Sequence, residues 1–124
     1  NRWTHGTQVT AAHGHLAFFG AYAMLILTVV YYALPKLKGL KQFNQKKGFW
    51  AFWLTVSMML TIGLAFGVAG AIQSYMQRGL GIDFLTVQGF MKPWFIAVFI
   101  GGLGFFIGVV IYIIDVLSLA MKKK

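Results

Sequence analysis

Val9-Thr10-Ala11-Ala12-His13-Gly14-His15-Leu16-Ala17-Phe18-Phe19-Gly20-Ala21-Tyr22 sets two histidines inside an apolar run, and Lys, Arg, Asp and Glu are absent all the way from Thr4 to Leu34. An uncharged run longer than roughly 20 residues is long enough to cross a bilayer as a helix. Two more such runs follow, Gly48 to Gln77 and Pro93 to Ile114. The whole chain is 59% hydrophobic and 10% charged, against about 25% charged in soluble domains. The predicted fold is therefore all-α and integral to a membrane, with three transmembrane helices.

The boundaries follow from local signals. Helix one is predicted over 7–34, because Pro35 disfavours the helical region at Leu34 and a lysine run follows. Helix two is predicted over 48–78, a length that allows either tilt or a projecting last turn at Gln73, Ser74, Tyr75 and Gln77. Helix three is predicted over 92–119, opening at Lys92-Pro93, where proline is tolerated in the first turn. Residues 35–47 form a basic connection and 79–91 a glycine-punctuated one, so 1–124 reads as a single membrane domain. Trp3, Trp50, Trp53 and Trp94 fall near predicted helix ends, where an indole anchors at the membrane interface. Gly63 with Gly67, and Gly104 with Gly108, have the four-residue spacing that lets helix backbones approach closely. The chain does not begin with Met, and its polar opening is unlike a signal peptide. It reads as an internal start, a split or processed product, or part of a longer protein.

A net charge of +9 suits nucleic acid in principle, but the cations are arranged for topology. Lys36, Lys38, Lys41, Lys46 and Lys47 fill one connection and Lys122, Lys123 and Lys124 end the chain, while the other connection holds Arg78 and Lys92 against Asp83. By the positive-inside rule the lysine-rich connection and the C-terminus are cytoplasmic, and the N-terminus and residues 79–91 face outward. The expected partner is membrane lipid rather than nucleic acid. With no cysteine, disulfides, iron–sulfur clusters and covalent c-type haem are excluded within this chain.

Ionisable residues inside a membrane span are functional candidates because their burial is costly. Two residues along an α-helix turn direction by about 200° and rise about 3 Å, so His13 and His15 point to nearly opposite faces. One ion held by both is disfavoured, and two centres, one on each side, fit better. Neutral imidazole is a standard axial ligand of haem iron, and Gly14 and Gly20 remove bulk where a ring would lie. Hydrogen bonding to neighbouring helices, or lining a proton path, stays open from the spacing alone. His5 reads as an interfacial loop group rather than a metal ligand. Asp115 reads as an end-of-helix group reaching headgroups, water or a lysine, with proton uptake as its lesser alternative.

The stretch from Thr4 to Met24 closely resembles the tenth membrane helix of the nitric oxide reductase catalytic-subunit family, within the haem-copper oxidase superfamily. The two later spans and the lysine-rich end are similar to that family's eleventh and twelfth helices, so the chain would form part of a twelve-helix bundle. The resemblance implies that His13 is the axial ligand of high-spin haem b3 and His15 an axial ligand of low-spin haem b. The implied enzyme is an oxidoreductase of the bacterial inner membrane, reducing two nitric oxide molecules to nitrous oxide and water. Its non-haem iron is held by three histidines and a glutamate on other helices; this chain contains no Glu. No residue of the chain acts on substrate directly, and the remaining helices of the catalytic subunit are required partners. A cytochrome c subunit or a quinol is the implied electron donor. Arg2 and Arg78 stand where they could neutralise haem propionates. A haem-copper terminal oxidase, a nitric oxide dismutase-like subunit and a non-catalytic haem-binding electron-transfer subunit are the alternative readings.

Overall fold

The computed structural model describes residues 2–40 and 44–121. Three long helices account for most of them: α1, Gln8–Leu37; α2, Gln45–Gly79; and α3, Phe84–Ala120, each long and apolar enough to cross a membrane. At about 1.5 Å per residue they exceed the ~30 Å hydrocarbon core, so they tilt or project beyond it. Lys41 and Lys122 to Lys124, which contributed to the predicted topology, lie outside the described residues.

All three helices are longer than predicted, each for a local reason. In α1, Pro35 lies inside the helix and is buried. Its missing N–H affects one bond near the helix end, and the chain continues to a glycine stop instead. Gly39 takes φ +68, Leu40 N–H donates to the Pro35 carbonyl at 2.9 Å and Gly39 N–H to that of Lys36 at 3.0 Å. That pair of bonds is a Schellman cap. The start of α2 lies at Gln45 because Asn44 Oδ1 accepts the N–H groups of Lys46 at 3.1 Å and Lys47 at 3.2 Å. The predicted basic connection 35–47 thus shrinks to 38–44.

The largest correction concerns α3, which starts at Phe84 and not at Lys92. Asp83 caps it by accepting the Thr86 N–H at 3.0 Å. Gly81, at φ +70, turns the chain, so the predicted connection 79–91 contracts to 80–83. Pro93 then sits in a helix interior, at a cost of about 3 kcal/mol. Val87 and Met91 lie just before it, both 0% exposed, and pack with Ala69 of α2. Trp94, expected as an interfacial anchor, packs against this cluster, whereas Trp3, Trp50 and Trp53 are exposed.

The central element is α2, flanked by α1 and α3. Its seams are built from glycines. A Cβ added to Gly63 would lie 2.6 Å from Leu16 of α1, and one at Gly70 would collide with the backbone of Val9. On the other side, a Cβ at Gly101 would be 2.8 Å from Ile62, one at Gly104 2.6 Å from Met58 Sδ, and one at Gly108 3.1 Å from the Thr55 backbone nitrogen. Gly67, expected in a seam, has nothing within 4 Å of such an atom. One π turn, Phe18–Ala23, interrupts α1. Before it α1 packs along α2. Within it and beyond it α1 meets α3 through aromatic rings, Phe19 with Phe105 at 5.5 Å and Tyr31 with Tyr112 at 5.2 Å, and a groove opens between the three helices.

Candidate functional site

The rotation of α1, and so the aim of its histidines, is fixed from its first turn. Thr7 is buried and its hydroxyl donates to the Thr4 carbonyl at 2.7 Å. No side chain of α1 caps its first N–H. Gln73 of α2 does so, its Oε1 accepting from Gln8 N–H at 3.0 Å, while its Nε2 donates to Gln77 Oε1 at 3.3 Å. Gln73 is thus 3% exposed and inside the bundle; of the two readings the length of the helix allowed, a projecting last turn does not hold for it. Ser74 ties down the chain before the helix by donating to the Trp3 carbonyl at 2.7 Å.

Val9, buried Ala12 and Leu16 then form the line along which α1 meets α2. At 100° per residue, His13 lies roughly 70° to one side of that line and His15 roughly 90° to the other. Both side chains are exposed. His15 stands beside the Phe66 ring of α2, centroids 5.2 Å apart, and its Nδ1 is 2.8 Å from the Ala11 carbonyl oxygen. A carbonyl only accepts, so Nδ1 carries the proton and Nε2 keeps its lone pair. Among the described residues His13 has no hydrogen-bond or ring partner. A Cβ added at Gly14 or Gly20 would meet nothing within 4 Å, so the backbone beside both imidazoles is open to a flat group.

Arg2 and His5 are exposed on the turn before α1, and Arg78 is exposed at the C-terminal end of α2. They share the end that also carries Asp83, whose carboxyl is held below the usual carboxylate range by the hydroxyl and N–H of Thr86. Asp115 departs from its predicted place near headgroups. It is 1% exposed, and the Tyr31 hydroxyl donates to its Oδ2 at 3.1 Å. The sequence held a signal for this. Gly101, Gly108 and Asp115 are seven residues apart, so all three line the inward seam of α3. Among the described residues no three of His, Cys, Asp and Glu come together as a metal cluster.

Three helices long and apolar enough to cross a membrane, with a central one sealed by glycine seams and a pair of oppositely aimed imidazoles on its neighbour, define a segment of a multi-pass membrane protein. The family described as Cytochrome C and Quinol oxidase polypeptide I matches residues 1–104. The chain belongs to that family, subunit I of the haem-copper oxidases. A nitric oxide reductase subunit from Stutzerimonas stutzeri is 41% identical to it across 91% of this chain. The chain spans 26% of that relative's length.

Proposed function

We propose that this chain is the part of a respiratory nitric oxide reductase that provides axial haem ligands, His13 to high-spin haem b3 and His15 to low-spin haem b. The supporting observation is the opposed, exposed pair of imidazoles on α1, with His15 Nδ1 2.8 Å from the Ala11 carbonyl. The residues fit the group. A hydrogen bond at Nδ1 fixes the tautomer and ring plane of a ligating histidine and raises the basicity of Nε2. Open backbone at Gly14 and Gly20 leaves room for a macrocycle. When bound, haem supplies electron transfer and an iron position for nitric oxide, in the overall conversion of two NO, two electrons and two protons to N2O and H2O.

The chain's own residues contribute geometry. One helix holds both imidazoles, so their separation and opposed aim are set by backbone hydrogen bonds rather than by side-chain freedom. The seams at Gly63 and Gly70 pin α1 on both sides of the pair. The remaining helices of the catalytic subunit would supply the second low-spin ligand and the non-haem iron, and a cytochrome c subunit or quinol the electrons. In the inner membrane the lysine-rich end would face the cytoplasm and the end with Arg2 and Arg78 the outer side, near the propionates.

The test is haem spectroscopy of the complete assembly. His13→Ala is expected to remove the high-spin signature and nitrous oxide formation while the low-spin spectrum persists. His15→Ala is expected to remove the low-spin signature and leave high-spin haem bound. Both spectra unchanged in both variants would end the assignment.

A further inference from the structure

The two ends of α1 answer to different partners, and the π turn stands between them. Toward its start, Val9 and Leu16 pack on Gly70 and Gly63 of α2, Ala12 between them is buried, and Gln73 accepts the Gln8 N–H. Toward its other end, the Tyr31 hydroxyl donates to Asp115 of α3 at 3.1 Å, its ring meets that of Tyr112 at 5.2 Å, and Pro35 is buried. Both sets of residues lie on the side of α1 that faces its neighbours. A regular helix does not place them so.

Tyr31 is nineteen residues beyond Ala12, whereas five full turns of an α-helix take about eighteen. At about 100° per residue, an unbroken helix would aim Tyr31 about 100° to the side of the Ala12 line and would carry Pro35 about 140° away from it. It would also bring Ile26 within about 40° of that line, yet Ile26 is 62% exposed. The wide turn at Phe18–Ala23 accounts for all three. Its closing bond runs from the Met24 N–H to the Phe19 carbonyl, five residues back rather than four, which takes one extra residue into a single turn. With that residue discounted, Tyr31 returns to the Ala12 line, Pro35 comes to about 40° from it, and Ile26 swings to about 140°.

We propose that the π turn is a one-residue register insertion, which keeps the His13 and His15 imidazoles in the rotation set by α2 while turning Tyr31 onto Asp115 of α3. The inference concerns the aim of α1 and holds whatever the imidazoles bind. Without the extra residue, one end of the helix must give up its partner. The start is tied to α2 at Gly63, Gly70 and Gln73, and the far end to α3 by one polar pair, so the far end is the one that yields.

The test pairs a deletion with its compensation in the complete assembly. Deleting Ala21, which is exposed within the π turn, removes the extra residue. Inserting one alanine between Leu25 and Ile26 of the same chain restores the count at a different place. Tyr31→Phe and Asp115→Leu report the contact, because substitutions at touching residues lower the denaturation midpoint non-additively and those at separated residues additively. Non-additivity is expected in the unaltered chain, additivity after the deletion, and non-additivity again once the alanine is inserted. Haem spectra are expected to be unchanged throughout. A deletion that prevents assembly supports the proposal when the insertion restores both assembly and non-additivity. Non-additivity that survives the deletion overturns it, as does a contact, an assembly or a haem spectrum lost on deletion and not regained with the insertion.

Discussion

Asp115 and Tyr31 form a polar pair between α1 and α3, with the carboxyl enclosed in the bundle and the phenol hydroxyl donating to it. The energetics of such a pair are asymmetric. Removing one partner leaves the other buried and unsatisfied, at about 1–3 kcal/mol, whereas replacing both by apolar groups of similar shape is nearly neutral. Tyr31→Phe is therefore expected to lower the stability of the assembly by about 1–3 kcal/mol. Tyr31→Phe combined with Asp115→Leu is expected to recover most of that loss. Denaturant titration in mixed micelles measures both, and a double variant weaker than the sum of the singles would contradict the pairing. The histidines were legible at this scale because an ionisable side chain in an apolar run stands out by composition. Gln73 was not, because its role depends on a partner sixty-five residues away in sequence.

Among the elements, the three spans were legible from charge-free length, and their ends were not. The missed ends are caps: Asn44 and Asp83 are one residue each, inside connections that composition reads as loop. The Asp83 cap carries a pH dependence. Its folded carboxyl titrates below its unfolded value, so its contribution is present above the unfolded pKa and is lost as pH falls through the folded one. Hydrogen exchange at the Thr86 and Val87 amides is expected to accelerate over that acid range, and Asp83→Asn, which keeps the acceptor, is expected to remove the dependence.

The glycines make a second element-level case. Four-residue spacing selected Gly63 with Gly67, yet α1 is met by Gly63 and Gly70, whose seven-residue spacing drifts only about 20° around the helix. Alanine substitutions should separate the two kinds of site. Gly70→Ala, against the Val9 backbone, and Gly108→Ala, against that of Thr55, are expected to cost about 1–3 kcal/mol each. Gly104→Ala meets only the flexible end of Met58 and is expected to cost less. Gly67→Ala, in open space, is expected to be neutral or to stabilise by up to about 1 kcal/mol. Thermal midpoints of the four variants give the ranking, and an equal loss at Gly67 and Gly70 would contradict the seam.

The whole molecule is asymmetric in charge from end to end, and that asymmetry predicts its orientation. Among the described residues Lys36, Lys38, Lys46 and Lys47 lie at one end, against Arg2, Arg78 and Lys92 with Asp83 at the other. The contraction of the second connection to 80–83 strengthens the contrast, since a four-residue turn leaves little polar chain on that side. Short basic connections are retained on the cytoplasmic side during insertion. The chain has no cysteine, so a single introduced thiol reports one position, provided that cysteines elsewhere in the assembly are replaced. Leu80→Cys is expected to react with a membrane-impermeant maleimide in intact spheroplasts. Gln45→Cys is expected to react only after the membrane is opened. Reversed labelling would place His13 and His15 nearer the cytoplasmic face, and with them the proposed haem sites, so the orientation measurement also sets the side on which electrons must arrive.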